Sequence, residues 1–193
     1  MRSKPILFSI ILSAFVILFA TFAAKSNENK YSLPFDIGYN TLSKPLQKQV
    51  DCLADNIYFE AGQEDREGKV AVAMVTMNRL ASGNYAGDVC GVVKQKTHFN
   101  GTTVCQFSWV CNTFFTSKRL TIIHSSLYNE VRDLAVYVLM NYENMHDVTK
   151  GATYYHADYV NPGWRLPKTT KIGRHIFYKN NRDLETMNKE IKL

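Results

Sequence analysis

The feature that most constrains the fold is a segment, residues 65–80, that is unusually rich in small and apolar side chains. A typical turn sequence, Ser82-Gly83-Asn84, ends it. A helix that is apolar around most of its circumference is buried in a globular protein. The chain is therefore predicted to pack its other elements around this central helix, whose apolar residues include Val70, Ala71, Met74, Val75 and Met77.

Two further segments predict helices with one apolar face. The first begins after Pro45 and reaches Glu60 or Ala61, and the other covers residues 126–142. Their apolar residues recur at spacings of three and four: Leu46, Val50, Leu53, Ala54 and Ile57 in the first, and Leu127, Val131, Leu134, Ala135, Val138 and Leu139 in the other. The stretch between, residues 83–125, is predicted to be a long irregular loop, which a compact domain seldom keeps without a function.

The pattern changes after Gly151. Residues 152–158 and 174–178 are rich in β-branched and aromatic side chains and predict two strands, joined by a loop that contains Pro162 and Pro167. The fold class predicted is α+β, mostly helical, with a small antiparallel β-hairpin near the C-terminus. Residues 182–193 predict a short surface helix, to which we assign no function.

The N-terminus predicts export. Arg2 and Lys4 precede an apolar run, residues 6–24, which is longer than a usual signal-peptide core of about 7 to 15 residues and close to the roughly 20 needed to span a bilayer. Residues 1–24 are thus either a cleaved signal peptide or a membrane anchor. In both cases the rest of the chain lies outside the inner membrane, in a periplasmic or extracytoplasmic location. We expect a linker over residues 25–45, a catalytic domain over 46–180 and a tail over 181–193.

The even number of cysteines favours disulfides in an exported domain. Cys105 and Cys111 enclose a short segment that a local bridge would stiffen, which leaves Cys52 to pair with Cys90. A zinc site is the alternative, but it usually requires paired short Cys or His spacings, which this chain lacks. We therefore expect no metal and no other cofactor.

The charge of the chain suits an anionic cell-envelope polymer. The formal net charge is +6, and loss of Arg2 and Lys4 would lower it by two. Its basic residues are scattered rather than gathered into a stripe, so nucleic-acid binding is not indicated. We expect the domain to act as a monomer.

Glu60 is the most informative single residue. It follows Ile57, Tyr58 and Phe59 at the point where the first helical pattern breaks. Apolar surroundings raise the pKa of a carboxyl group, which could then carry a proton to a leaving oxygen. The alternative is an ordinary solvated acid near a helix end.

Several segments together carry a resemblance to a known family. They are Leu53-Ala54 with Ile57-Tyr58-Phe59-Glu60-Ala61, Gly68-Lys69-Val70-Ala71-Val72-Ala73, Asn78-Arg79, Cys90-Gly91-Val92-Val93, Gln106-Phe107-Ser108-Trp109, Tyr155-His156-Ala157 and Ile172-Gly173-Arg174-His175-Ile176-Phe177. Over residues 52–178 the chain resembles the cell wall hydrolases typified by the spore-cortex-lytic enzymes SleB and CwlJ. The resemblance implies a lysozyme-like α+β domain that acts on the glycan strands of peptidoglycan, with Glu60 as the acid.

One departure from the family pattern follows Glu60. Members of the family often have Glu-Ala-Arg-Gly-Glu, whereas this chain has Glu60-Ala61-Gly62-Gln63-Glu64. Glu64 matches the second glutamate of that pattern. Its role is either to bind substrate or to anchor the start of the next helix.

Glycan cleavage needs a second group besides the acid, because positive charge develops on the sugar ring. A hydrolase uses a second carboxylate, for which Glu64, Glu67, Asp88 and Asp158 are candidates. In a lytic transglycosylase the muramyl 6-hydroxyl attacks instead and forms a 1,6-anhydro ring, with one glutamate as acid and then base. The resemblance favours the transglycosylase, with a lysozyme-like muramidase as the alternative.

Sugar binding requires flat apolar faces beside hydrogen-bonding groups. Gln106 and Trp109 offer both, although Trp109 could equally be a core anchor of its loop. Tyr155 and His156 lie on one predicted strand, so one should face the groove and the other point away. We rank Tyr155 above His156 as a substrate-binding residue.

Three other classes of protein stay open. The five histidines, with Asp158, could form a zinc amidase or peptidase site, although no pair has the spacing His-x-x-x-His. A cysteine peptidase would need a free thiol. An inactive wall-binding module could keep the groove and lack the chemistry.

Overall fold

The computed structural model describes residues 37–181, which contain five helices and five strands. The helices are α1 (Lys44–Ala61), α2 (Arg66–Ala81), α3 (Val89–Lys94), α4 (Thr113–Ile122) and α5 (Ser126–Asn141). The strands are β1 (Lys96–Phe99), β2 (Thr102–Cys105), β3 (Tyr154–Ala157), β4 (Lys168–Ile172) and β5 (His175–Tyr178). The predicted α+β class is confirmed.

Helix α2 is the centre of the domain, as predicted. Every residue from Gly68 to Arg79 is buried. The Asp65 side chain accepts a hydrogen bond from the backbone N of Gly68 at 2.8 Å and thereby satisfies a free amide of the first turn. Helices α1 and α5 pack against α2 and against each other, and side chains such as Leu53, Met74 and Leu134 fill the space between them.

The two amphipathic helices are also confirmed, as α1 and α5. Pro45 lies in the first turn of α1, where its missing N–H has no helical acceptor to lose. Ser125 caps α5 by accepting from the backbone N of Tyr128 at 3.1 Å. Both helices pack against α2. Tertiary packing of an apolar face, rather than intrinsic helix propensity, supplies most of the stability of such helices.

The predicted irregular loop over residues 83–125 is wrong. This stretch contains α3, the β1–β2 hairpin, a short 3₁₀ turn at Ser108–Cys111, and α4. Asn100 and Gly101 both have positive φ, 49° and 74°, as a tight hairpin turn requires. Strand β2 is exposed over three of its four residues and so shows no alternation of apolar and polar side chains.

The predicted C-terminal hairpin is part of a three-stranded antiparallel sheet in the order β3-β5-β4. The two predicted strands do pair, with Tyr155 opposite Phe177. The additional strand, β4, lies within the segment predicted to be a loop. Its sequence, Lys-Thr-Thr-Lys-Ile, is mostly polar because it forms an edge of the sheet.

Both predicted disulfides are present. Cys52–Cys90 joins α1 to α3, and Cys105–Cys111 joins the end of β2 to the 3₁₀ turn. All four cysteines are therefore oxidised. The first bridge ties two helices together, and the second ties the β1–β2 hairpin to the turn that carries Trp109.

The predicted leader, most of the linker and the C-terminal helix lie outside residues 37–181, and the domain boundaries at 46 and 180 stay predictions. Over the described part of the chain, no helix combines the length and apolar character needed to cross a bilayer.

Candidate active site

Glu60 is the second-to-last residue of α1 and its side chain is half-buried. Burial raises the pKa of its carboxyl group above the ordinary value, because the charged form loses water contacts. Two weaker influences lower it: a hydrogen bond from Tyr155 and the positive charge of Arg79. The balance favours a carboxyl group that keeps its proton to a higher pH than an exposed glutamate does.

Tyr155, on β3, donates a hydrogen bond from its hydroxyl to Glu60 Oε2 at 3.1 Å. Its ring is held between His175 and Phe177, with centroid distances of 5.1 and 5.7 Å. Burial and the neighbouring Glu60 raise the pKa of the Tyr155 hydroxyl well above its usual value, so it remains a donor. This bond fixes one carboxyl oxygen of Glu60 and leaves Oε1 to carry the proton.

Arg79, on α2, is a site residue that the sequence-based selection missed. Its side chain is buried, and its Nε donates to the Thr153 carbonyl at 2.7 Å. The guanidinium lies over the rings of Phe107 and Tyr154, at 4.9 and 5.8 Å from their centroids. The only signal in the sequence was its position in the segment Asn78-Arg79, which contributed to the resemblance.

Asn78 holds the start of β3 against α2. Its Nδ2 donates to the Ala152 carbonyl at 3.0 Å and to Asp147 Oδ2 at 2.9 Å. Its Oδ1 accepts from the hydroxyl of Tyr142 at 2.7 Å. Because this buried amide makes bonds through both its N and its O, it fixes the register that brings Tyr155 to Glu60.

Glu64 lies against the turn between β4 and β5. Its Oε2 accepts from the backbone N of Arg174 at 3.3 Å, and its Oε1 is 3.9 Å from His175 Nδ1. A Cβ at Gly173 would lie 2.1 Å from Glu64 Oε2, so this contact requires glycine. Asp65, not Glu64, caps the next helix. The contacts favour a role for Glu64 in holding the turn; substrate binding by Glu64 stays a proposal.

Trp109 is 6% exposed. Its Nε1 donates to Asn56 Oδ1 at 3.0 Å, and its ring stacks on Phe59 with a centroid distance of 4.7 Å. Trp109 was considered either as a sugar-binding residue or as a core residue that anchors its loop. Its burial and its contacts favour the core role, in which it supports Phe59, the residue immediately before Glu60. Gln106 is half-buried and precedes Phe107, whose ring is 6.4 Å from that of Tyr155.

His156 and Tyr155 point to opposite faces of β3, as strand geometry requires. His156 stacks on Tyr178 at 5.3 Å, and its Nε2 is within hydrogen-bond distance, 3.0 Å, of the Tyr178 hydroxyl. Trp164 packs edge-on against both rings. Tyr155 is hydrogen-bonded to Glu60, whereas His156 contacts Tyr178 and Trp164 on the other face of the strand. A substrate contact for His156 therefore stays a proposal.

Of the three other candidate carboxylates, two have partners of their own. Asp88 caps α3 through the backbone N of Gly91 at 2.6 Å, and Asp158 forms an ion pair with Lys171 at 2.8 Å. Glu67 is exposed in the first turn of α2.

The rival sites receive no support from residues 37–181. In this part of the chain no three His, Cys, Asp or Glu side chains converge on a point that could hold a metal ion. A cysteine peptidase is excluded, because both disulfides consume the thiols that would serve as the nucleophile.

Comparisons with known proteins relate this chain to one family model and to curated relatives. Residues 63–178 match the family model described as Cell Wall Hydrolase, a region that begins three residues after Glu60. The chain is 29% identical over 136 residues to the spore cortex-lytic enzyme of Oceanobacillus iheyensis, covering 69% of this chain and 42% of the relative. It is 27% identical over 161 residues to that of Bacillus cereus, covering 80% and 52%. The chain thus spans about half the length of these curated relatives.

Among solved structures, the chain is similar to the catalytic domain of the germination-specific lytic transglycosylase SleB from Bacillus anthracis. The TM-score is 0.49 and the identity 23%, over 76% of this chain and 100% of that one.

Proposed function

Because this chain belongs to the cell wall hydrolase family, we propose that it acts outside the cytoplasm and cleaves peptidoglycan glycan strands between N-acetylmuramic acid and N-acetylglucosamine. Glu60 is the general acid. The observation that carries the proposal is the half-buried Glu60 carboxyl group, whose pKa is raised by burial and whose Oε2 is held by Tyr155.

In the first half of the reaction, the proton on Glu60 moves to the oxygen that bridges the two sugars. The bond between that oxygen and C1 of the muramyl residue breaks, and the N-acetylglucosamine leaves with a free hydroxyl. Positive charge develops on the muramyl ring at the same time as negative charge appears on Glu60. The anionic carboxylate beside the ring stabilises that positive charge.

In the second half, the 6-hydroxyl of the same muramyl residue attacks C1. Its proton moves to the Glu60 carboxylate, which regenerates the acid, and a 1,6-anhydro ring closes. No water is consumed, so the two products together have the composition of the substrate. One titratable group is sufficient for both halves, because it serves as acid and then as base.

Tyr155 and Arg79 have complementary roles in this cycle. Both favour the charged form of Glu60 and therefore assist the step in which it gives up its proton. Burial opposes them and raises the pKa of Glu60, so the carboxyl group holds its proton to a higher pH than an exposed glutamate does. Tyr155 and Arg79 limit the cost of charging Glu60 when it gives up that proton.

The internal hydroxyl is favoured over water because three of the four other candidate carboxylates are engaged, and the fourth, Glu67, is exposed in the first turn of α2. Glu64 holds the β4–β5 turn, Asp88 caps α3, and Asp158 pairs with Lys171. A muramidase would need one of them to act as a base or nucleophile about 5 to 9.5 Å from Glu60. Hydrolysis by water is therefore the second candidate.

The test is the substitution Glu60→Gln, which keeps the size of the side chain and removes the acid. Release of soluble fragments from purified peptidoglycan should fall by roughly 10² to 10⁴, the usual contribution of general acid catalysis. Glu143→Gln, at an exposed glutamate of a 3₁₀ turn, is the matched control and should retain activity. A folded Glu60→Gln protein with near-normal activity would refute the role of Glu60.

Mass analysis of the fragments separates the two mechanisms. A transglycosylase leaves 1,6-anhydro-muramyl ends, which are lighter by one water than the reducing ends left by hydrolysis. Reducing ends alone would establish a muramidase. A wild-type protein that releases no fragments but binds the wall would instead be a binding module.

A further inference from the structure

A cleft of about 450 Å³ lies beside α1 and is lined by cationic side chains. Lys48 comes from α1, Lys94 from the end of α3, Lys96 from the start of β1, and Arg119 from α4. This volume is within the usual range of small-ligand sites, about 300 to 1,000 Å³. Three regions distant in sequence, at Lys48, residues 94–96 and Arg119, therefore present positive charge to one space.

The acidic residues of the cleft neutralise only part of this charge. Asp55 forms an ion pair with Arg119 and accepts from the Tyr128 hydroxyl at 2.6 Å. Asp51 accepts from the hydroxyl of Tyr39 at 3.0 Å. The three lysines are exposed, and none forms an ion pair with a carboxylate of the described region. The lining thus holds four cations and two anions, an excess of two positive charges.

A disulfide connects two of the elements that carry the lysines. Cys52 is part of the lining, and its disulfide to Cys90 joins α1 to α3, which carries Lys94. On another side Trp109 and Val110 supply an apolar wall. A ligand that combines separated negative charges with aliphatic groups would satisfy both kinds of surface.

The Phe59–Trp109 pair lies between the cleft and Glu60. Trp109 lines the cleft and also stacks on Phe59, the residue before Glu60. Along the axis of α1, Asp55 lies about 7.5 Å before Glu60 and Lys48 about 18 Å before it, at a rise of 1.5 Å per residue. At 3.6 residues per turn both are also rotated by about 120° to 140° around the axis from Glu60, on the side of Phe59. A peptide that hangs from a sugar at Glu60 would therefore pass around α1 over the Phe59–Trp109 pair, and four or five residues, about 13 to 18 Å when extended, would bring it to the Asp55 end of the cleft.

We propose that this cleft binds the carboxylates of the peptide stem carried by the muramyl residues of peptidoglycan. The inference rests on the proposed function and adds the part of the substrate that sets specificity. Lysines on three separate elements suit several spaced carboxylates, because each ammonium group acts as a point charge. The apolar wall suits the aliphatic side chains between those carboxylates, which a phosphate-bearing polyol polymer lacks.

The test is an NMR titration of the full-length oxidised protein, in mild detergent, with a free stem tetrapeptide up to millimolar concentration. The double variant Lys94→Gln/Lys96→Gln should bind the peptide roughly five- to tenfold more weakly than wild type. The matched control, Lys150→Gln/Lys168→Gln, changes two exposed lysines outside the cleft by the same charge and should stay within about twofold of wild type. A tetrapeptide with amidated carboxyl groups should bind the wild type as weakly as the acidic peptide binds the cleft variant.

Other results would overturn the proposal. These are no shift of cleft resonances with the peptide, equal weakening in both double variants, or tighter binding of a glycerol-phosphate polymer through the same lysines. The titration does not depend on glycan cleavage. Peptide binding without release of glycan fragments would refute only the proposed function, and glycan cleavage without peptide binding would refute only the stem site.

Discussion

Replacing Tyr155 with phenylalanine removes one oxygen from the candidate site and keeps the ring. The hydroxyl donates to Glu60 Oε2 at 3.1 Å, whereas the ring packs against His175 and Phe177. The substitution therefore tests the hydrogen bond separately from the packing of β3 and β5.

The expected loss follows from the length of this bond. A hydrogen bond to a charged group contributes about 1.5 to 3 kcal/mol. Bonds from a hydroxyl to a carboxylate usually measure about 2.5 to 2.7 Å, so 3.1 Å indicates the lower end, about 1.5 kcal/mol. The Glu60 carboxylate forms as the proton leaves, so the reaction rate of Tyr155→Phe should fall by up to about tenfold.

The pH dependence should change in a defined direction. The bond from Tyr155 favours the charged form of Glu60, so its loss raises the pKa of Glu60. Glu60 must hold its proton to act as an acid, and activity therefore declines as the pH rises through its pKa. In Tyr155→Phe this decline should occur at higher pH than in the wild type, and the deficit in activity should shrink as the pH rises.

The assay is the initial rate of fragment release from purified peptidoglycan, measured across the pH range in which the protein stays folded. Tyr154→Phe is the matched control, because it removes a hydroxyl from the adjacent residue on the opposite face of β3. Its pH profile should follow that of the wild type. A Tyr155→Phe profile that coincides with the wild type, or moves to lower pH, would refute the coupling of Tyr155 to Glu60.

Two further predictions concern stability. Loss of the Cys52–Cys90 disulfide, which closes a separation of 38 residues, should lower the free energy of unfolding more than loss of Cys105–Cys111, which closes 6. Chain entropy gives about 4 kcal/mol for the first and about 2 kcal/mol for the second. Guanidinium unfolding of two variants, each with both cysteines of one bridge replaced by alanine, measures this, and the reverse order would contradict it. Because burial raises the folded-state pKa of Glu60, its stabilising contribution is present below the unfolded-state pKa and lost as the pH rises through the folded-state pKa. Glu60→Gln should therefore gain stability relative to wild type as the pH rises above the unfolded-state pKa of glutamate, about 4.3. Urea unfolding at a series of pH values measures this, and a difference in the free energy of unfolding that stays constant or changes the other way would contradict the burial argument.

Local patterns predicted three of the five helices of residues 37–181, because each of the three buries one face or all of its circumference. The apolar positions of α1, α2 and α5 recur with helical spacing, and the structure confirms all three. The same reasoning failed for α3, which has six residues, and for α4, in whose sequence apolar and polar residues show little helical segregation. It also failed for the β1–β2 hairpin and for β4, which are exposed hairpin or edge strands where burial does not impose an alternating pattern.

The cysteine pairing was also accessible from the sequence, because one pair is close enough to close a local loop and leaves a single partner for the other two. The candidate acid was selected from its neighbours alone, since Ile57, Tyr58 and Phe59 indicate a desolvated carboxyl group at Glu60. The structure agrees that burial is the main influence on the Glu60 pKa. Its catalytic role stays a prediction.

Only the tertiary structure decided which groups surround that acid. Tyr155 lies 95 residues from Glu60 in sequence, and the hydrogen bond between them depends on the packing of β3 against α1 and α2. The convergence of Lys48, Lys94 and Lys96 on one cleft likewise comes from the packing of α1 against α3, which the Cys52–Cys90 disulfide joins. Side-chain periodicity records which face of an element is buried, but it does not record which element covers that face. The sequence therefore determined the three main helices, the disulfide pairs and the candidate acid, whereas long-range packing decided the hydrogen bond, the buried charge of Arg79 and the cationic cleft.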